Sequence, residues 1–147
     1  MKHNDLWIVV VLVIASVQLS ACAQTAAVTA SKVAPAKVER IEGTNLNRLT
    51  LIAEASKRLN IQTAPVRDAQ VSGVQRKVIP YAAVLYDTQG NTWAYTNPEP
   101  LRFVRQSIKI DRIEGDLAVL TDGPPSGTAV VTVGVAELFG IEFGVGK

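Results

Sequence analysis

The chain has few of the residues on which many protein chemistries depend: one cysteine, one histidine and one methionine among 147 residues. A single cysteine excludes an intramolecular disulfide. The formal net charge of +2 is too small to favour nucleic acid as a partner, and no Lys/Arg cluster with interleaved aromatic residues is present. Because charged residues make up 19% and apolar residues 48%, a charged disordered chain and a multi-span membrane protein are both excluded.

The N-terminal residues have the pattern of a signal peptide. Lys2 precedes a continuous apolar run over residues 6–15, which is too short for a spanning helix of roughly 20 residues. Residues 19–22, Leu-Ser-Ala-Cys, resemble a bacterial lipobox, in which cleavage precedes the cysteine and its thiol carries a diacylglyceryl group. We therefore predict a cleaved signal peptide over residues 1–21 and lipidation of Cys22. The alternative is a permanently anchored N-terminal helix with an incidental cysteine.

The predicted cleavage leaves little for catalysis, because the single histidine and the single methionine both lie in the signal peptide. The chain also has no Gly-x-Ser-x-Gly elbow and no phosphate-cradling Gly-rich loop with a lysine. Four carboxylates could pair as acid and base, but they occupy predicted strand ends and turns, where acidic residues are ordinary. We predict no enzymatic activity, no cofactor and no metal site. The four carboxylates are Asp111, Glu114, Asp116 and Asp122.

The remaining chain divides into a tether and one domain. Residues 22–44, which begin with the lipidated cysteine, are rich in Ala, Thr, Ser and Pro and are predicted to form a flexible spacer. Residues 45–147 form the predicted domain. A possible short strand at residues 49–51 is followed by a predicted short helix over residues 52–59, where apolar residues recur at i, i+3 and i+7.

A hairpin is predicted at the centre of the domain. Residues 81–86 are apolar and aromatic, residues 87–91 carry an Asp and a Gly suited to a turn, and residues 92–96 resume with β-forming side chains. Trp93 and Tyr95 share one side of the second strand, because side chains alternate with a period of two.

Short β segments follow and precede this hairpin. Residues 101–113 alternate as a strand with one wet face, residues 117–120 and 128–133 are strands between Gly-containing turns, and residues 139–145 alternate as a last strand. Residues 67–77 are predicted as an exposed edge strand or loop. The fold class is therefore mainly β: a small antiparallel β-barrel or β-roll with one short helix near its N-terminal end.

Three segments are similar to periplasmic adaptor subunits of RND-type efflux systems, also called membrane fusion proteins of the HlyD type. Residues 48–66 (RLTLIAEASKRLNIQTAPV) resemble the segment that opens many adaptors, and residues 78–96 resemble the passage from the β-barrel domain to the membrane-proximal domain. Residues 103–138 resemble the membrane-proximal domain itself. The chain lacks the adaptors' lipoyl-like domain and long α-helical hairpin, so the resemblance is to a truncated form.

The resemblance implies a non-enzymatic envelope lipoprotein that acts as a scaffolding module in transmembrane transport. Its expected partners are the membrane, through the N-terminal lipid, and an RND-type inner-membrane transporter or a full-length adaptor. Metal handoff is not implied, because no methionine remains after cleavage. The expected location is the periplasm-facing cell envelope of a Gram-negative bacterium, and Ala23 slightly favours the outer over the inner membrane. The alternative function is a small-molecule-binding or structural envelope lipoprotein unrelated to efflux.

Two kinds of side chain are candidates for partner binding. Aromatic residues of the hairpin and tail could dock a partner or line a ligand cavity together with Phe103, although core packing is the competing interpretation. The two arginines at the start of residues 101–113 could present charge, although a solvated face is the competing interpretation. The candidates are Trp93, Tyr95, Arg102, Arg105, Phe139 and Phe143.

Overall fold

The structure is a computed structural model that describes residues 34–145. The predicted signal peptide, the lipidation site Cys22 and the first part of the tether lie outside these residues. Within them, no helix is long and apolar enough to cross a membrane. Along the chain the elements are β1 (Ala36–Arg40), β2 (Asn47–Leu51), α1 (Ala53–Arg58), β3 (Gln62–Pro65), β4 (Arg67–Val71), β5 (Val74–Pro80), β6 (Leu85–Tyr86), β7 (Thr92–Glu99), β8 (Arg102–Ser107), β9 (Lys109–Glu114), β10 (Leu117–Asp122), β11 (Ala129–Val133) and α2 (Val135–Phe143).

The strands form two antiparallel sheets. The larger sheet has the order β1-β2-β8-β7-β11-β3, with β6 paired to β7, and the smaller sheet has the order β4-β5-β10-β9. The prediction of a mainly β, antiparallel fold is confirmed, and α1 lies where the one short helix was predicted, but the described residues contain a second helix, α2, at the C-terminal end. The predicted barrel is wrong, because neither sheet closes on itself in the part of the chain that the structure describes.

The predicted tether is wrong over its second half. Ala36 to Arg40 forms β1, which pairs residue by residue with β2 from Ala36 opposite Leu51 to Arg40 opposite Asn47. Composition rich in small residues suggested a coil, but a strand at a sheet edge needs only one partner. Ordered structure therefore begins before residue 45.

The central hairpin is confirmed, although its first strand is shorter than predicted. Leu85 pairs with Trp93, Tyr86 pairs with Thr92, and Gly90 takes the predicted positive φ of 83° in the turn. The chain before Leu85 forms a 3-10 turn instead, which is closed by a bond from the Val84 N–H to the Tyr81 carbonyl, while the Tyr81 N–H bonds to the carbonyl of Asp116 between β9 and β10.

The predicted edge at residues 67–77 is a second hairpin, β4–β5, with Ser72 and Gly73 in the turn at φ 52° and 78°. β5 lies between β4 and β10, so it is an interior strand and is not open to a partner. β4 alone forms this edge. The prediction was wrong for β5 because pairing with a distant strand leaves no local signal.

The predicted strand over residues 101–113 is two strands in different sheets. The chain passes from β8 to β9 at Ile108, whose side chain is buried between them. In β8 the inward residues are Phe103 and Arg105, whereas Val104 is only partly buried. The predicted wet face, which included Arg105, is therefore wrong: the passage between sheets reverses the side on which the core lies.

The C-terminal tail is a helix, so the predicted last strand is wrong. α2 buries Leu138 and Glu142, which are four residues apart on one helical face, and stacks Phe139 on Phe143 at the same spacing. Gly134 before the helix and Gly144 after it both have positive φ, and Gly144 ends the helix in the left-handed conformation. The alternation of apolar residues and glycines concealed this helical spacing.

Buried apolar residues form three clusters. One lies between the two sheets, one lies between the larger sheet and both helices, and a small one lies on the β4–β5–β10 strands. Tyr95 and Phe103 belong to the second cluster, with exposed fractions of 0% and 2%. The hypothesis that these two aromatic side chains line a ligand cavity is therefore wrong, because they are core.

Candidate functional site

A cavity of about 550 Å³ opens where the hairpin turn of residues 87–91 meets strands β7 and β8 and the helix α2. Its wall combines aromatic rings with polar and charged side chains. This is the size range of ordinary ligand pockets, roughly 300–1,000 Å³. The lining residues are Asn45, Leu46, Asp87, Thr88, Gln89, Asn91, Trp93, Arg105, Phe139 and Phe143.

The guanidinium of Arg105 lies over two aromatic rings in the wall. Its central carbon lies 4.2 Å from the centroid of the Trp93 ring and 5.1 Å from that of Phe143. Both separations are within the roughly 6 Å at which a cation is attracted to a ring face. Strand β8 points Arg105 inward, β7 supplies Trp93 beside it, and the last turn of α2 supplies Phe143.

Glu142 lies beneath this stack and has no exposed side-chain surface. The hydroxyl of Tyr95 donates a hydrogen bond to its Oε2, and Asn47 Nδ2 donates to Oε1 at 3.5 Å. Burial, together with the bond to Glu142, raises the pKa of Tyr95 above its ordinary value of 10. Tyr95 therefore stays protonated at neutral pH and serves as a donor to the carboxylate.

Arg105 and Glu142 form a buried ion pair, with Nε 3.4 Å from Oε2 and the arginine side chain 9% exposed. Within residues 34–145, the buried Nε–H has no hydrogen-bond acceptor. The attraction between the two side chains is therefore electrostatic and lacks the directed bond of a bidentate pair. This arrangement neutralises the buried guanidinium without saturating it.

Asp87 organises the turn that forms the opposite wall. Its carboxylate accepts hydrogen bonds from the backbone N–H groups of Gln89 and Asn91, from Asn91 Nδ2 and from Trp93 Nε1, at 2.8–3.0 Å. The bonds from Asn91 and then Trp93 lower the pKa of Asp87 from 3.8 to about 2. The turn therefore fixes the edge of the indole ring that stacks on Arg105.

Four of the six candidate partner-binding residues meet at this cavity: Trp93, Arg105, Phe139 and Phe143. Tyr95 lies beneath it, in contact with Glu142. Arg102 does not line this cavity. It pairs with Glu99 at 2.6 Å on the surface, which agrees with the competing interpretation of a solvated face.

Two residues that the sequence reasoning missed complete the site. Glu142 was assigned to a strand, and only its spacing of i+4 from Leu138 could have placed it on an inward helical face. Asp87 was recognised as a turn residue, but its bond to Trp93 depends on the hairpin register.

Two of the four acidic residues considered for catalysis have a cationic partner. Asp111 and Glu114 flank Arg112 and bind its guanidinium at 2.6 and 2.7 Å, which raises the pKa of Arg112. Among residues 34–145, no group of three His, Cys, Asp or Glu side chains has the geometry to hold a metal ion.

A second cavity, of about 590 Å³, lies on the other side of α2 and is mainly apolar. It is lined by β1 and the residues before it, by Leu59 after α1, and by Ile141 and Val145. It contains none of the candidate residues.

Comparison of the chain with protein-family models, with curated proteins and with solved structures finds no match. The similarity to efflux adaptors is therefore a prediction from the three sequence segments alone.

Proposed function

We propose that this protein is a non-enzymatic interaction module of the cell envelope, held at a membrane by a lipid on Cys22 and acting as a scaffold in an RND-type efflux assembly. The observation that carries the binding role is the Trp93–Arg105–Phe143 stack at the mouth of an open cavity. The three adaptor-like segments support the efflux context.

The stack has features that stability alone does not require. A buried ion pair is often no more stabilising than apolar residues of similar volume, because both charges lose their hydration. Phe143 is 52% exposed although it is a large apolar side chain beside the charged pair. Buried arginine next to exposed aromatic surface is typical of residues that dominate protein–protein binding.

Lipid attachment gives such a module its advantage. Anchoring restricts the domain to the volume near a membrane, where the effective concentration of a membrane partner reaches about the millimolar range. A modest contact surface around one cavity is then sufficient for occupancy.

The test is site-specific photo-cross-linking in cells, with a photoreactive amino acid at Phe143 and, as the matched control, at Val74. Both positions are about half exposed, but Val74 begins β5 in the other sheet. We expect an inner-membrane transporter or a full-length adaptor to cross-link at 143 and not at 74. Equal products at the two positions, together with unchanged drug and solvent tolerance after gene deletion, would reject the proposed function.

Small-molecule binding is the second candidate, and the volume and aromatic wall of the cavity favour it. Trp93 is the indole in that wall, so a ligand there should change its fluorescence. Titration of the wild type and of Trp93→Phe with a panel of pump substrates separates the two functions: a saturable change specific to Trp93 supports a small-molecule receptor.

A further inference from the structure

We infer that the cavity recognises the carboxylate of a glutamate or aspartate side chain on a partner protein, with the outer edge of the Arg105 guanidinium as the donor. This inference rests on the proposed interaction function and names the chemistry of the partner segment. Apolar side chains next to that acidic residue would contact Phe139 and Phe143.

The two ring contacts limit how Arg105 can bind a ligand. The central carbon of its guanidinium lies over the Trp93 ring at 4.2 Å and over the Phe143 ring at 5.1 Å. A guanidinium carries its five N–H donors in one plane, so stacking leaves the edge free for hydrogen bonds.

That edge has two ends with different surroundings. The Nε end faces the buried carboxylate of Glu142 at 3.4 Å. The hydrogen bonds made within residues 34–145 include none from the two terminal nitrogens, and Arg105 is part of the cavity wall. Nε is the only Arg105 nitrogen that is both buried and without an acceptor among the described residues, so the two terminal nitrogens reach the cavity, where a ligand can displace water from them.

A carboxylate is the acceptor that matches this edge. Its two oxygens lie in one plane at the spacing of two guanidinium N–H groups, which gives a pair of parallel charge-assisted bonds. The turn offers few free backbone donors, because the N–H groups of Gln89, Gly90 and Asn91 all bond to Asp87. A phosphate needs several hydrogen-bond donors and would therefore find too few of them in this turn.

The negative charge of Asp87 further limits the kinds of ligand that the cavity can bind. Its carboxylate is held ionised and lies in the same wall, so it repels negative charge on a ligand, and a ligand with several negative charges is repelled more strongly than one with a single carboxylate. A single acidic side chain between apolar neighbours meets one cationic edge and two phenyl rings, and Phe139 and Phe143 pack together at 4.6 Å between centroids.

The test uses the full chain purified in detergent and a pentapeptide blocked at both ends, with a central glutamate flanked by leucines. The matched probe has glutamine in place of glutamate. We expect isothermal titration calorimetry to give at least tenfold tighter binding of the glutamate peptide. Equal binding of the two peptides, or binding of neither, would overturn the inference without any variant of the protein.

Two variants assign the effect to Arg105. Arg105→Gln should abolish the preference for glutamate, whereas Arg102→Gln, which removes a nearby exposed charge that pairs with Glu99, should keep it. A preference that survives Arg105→Gln in a folded protein contradicts the assignment. If a transporter or adaptor cross-links at position 143 but the glutamate peptide binds no better than the glutamine peptide, the carboxylate inference is rejected and the efflux function stands. If the glutamate peptide is preferred but no transporter or adaptor cross-links, the efflux function is rejected and the carboxylate inference stands.

Discussion

Arg105 carries a full positive charge into the edge of the core, and its neighbours compensate that charge in different ways. Glu142 supplies a negative charge at 3.4 Å, and Trp93 and Phe143 supply ring faces. The aromatic contacts hold the guanidinium in the wall of the cavity. Removing any one neighbour should therefore have a consequence that its chemistry predicts.

Glu142→Gln should destabilise the protein by about 3 kcal/mol, because it leaves a buried cation without its counter-ion while keeping the shape of the side chain. Urea unfolding at pH 7 measures this loss. The control is Glu99→Gln, which breaks the exposed pair with Arg102 at 2.6 Å and should cost less than about 1 kcal/mol. The double variant Arg105→Met/Glu142→Gln should recover much of the loss. Additive losses in that double variant would contradict a direct coupling.

We expect the hairpin turn to be sensitive to acid, because its hydrogen bonds depend on the ionised carboxylate of Asp87. Its pKa is lowered from 3.8 in the unfolded chain to about 2 in the fold, so its contribution to stability is complete above pH 3.8 and is lost as the pH falls through about 2. Trp93 fluorescence should follow this loss, because the indole N–H bonds to the carboxylate. Asp87→Asn has no carboxylate to titrate and should show no change in that window. The same acid transition in both proteins would refute the assignment.

At the scale of elements, the junction between β11 and α2 decides whether the site forms. Gly134 turns the chain at φ 92°, and a Cβ there would lie 2.1 Å from Cδ1 of Ile61. Ile61 is partly buried and packs against the cluster between the larger sheet and the helices, so a Cβ at 134 would force its Cδ1 to shift within that packing. The glycine therefore allows the close approach that brings α2 onto the sheet.

Gly134→Ala should be more destabilising than Gly127→Ala. Both glycines have φ near 90°, so both variants share a backbone cost of about 1–2 kcal/mol. A Cβ at 127 meets nothing within 4 Å among the described residues, whereas one at 134 adds overpacking of about 1–3 kcal/mol. Thermal unfolding of the two variants measures the difference.

Ile61→Val provides the matching rescue, because it removes the Cδ1 atom that the new methyl group would contact. The double variant Gly134→Ala/Ile61→Val should be less destabilised than the sum of the two single variants. Equal destabilisation at 127 and 134, or additivity in the double variant, would show that close approach is not the reason for the glycine.

At the scale of the whole molecule, the two sheets share one hydrophobic core. Ile79 and Leu120 reach it from the smaller sheet, Ala94 and Val130 reach it from the larger one, and Ile108 lies where the chain passes between them. All five are buried. Because neither sheet has this cluster to itself, we expect the sheets to unfold together.

Ile108→Ala should cost about 2–5 kcal/mol, the range for truncation of a large buried side chain. The loss should lower the midpoint for Trp93 fluorescence in the larger sheet and for amide protection of Val119 in the smaller sheet by the same amount. Val74→Ala, at a half-exposed position, should change stability by less than about 0.5 kcal/mol. Midpoints that separate in Ile108→Ala would mean that the sheets are independent.

Local chemistry accounts for the elements that could be predicted. The hairpin turn and helix α1 depend on interactions between residues close in sequence, whereas β10 and β11 were predicted from short apolar runs between turns although they pair with distant strands. The candidate residues Trp93, Phe139 and Phe143 were selected as aromatic surface, but their meeting with Arg105 depends on contacts between β7, β8 and α2.

The sequence by itself determined the mainly β fold class, the central hairpin and the short helix near the N-terminal end, because alternation and turn residues act over a few positions. Only the tertiary structure decided that residues 135–143 form a helix and that Arg105 points inward. The tail satisfies a period of two and a spacing of four at once, and the face that buries Leu138 against the larger sheet selects the helix. The inward face of β8 was likewise set by where the chain leaves one sheet for the other at Ile108, which depends on distant packing partners.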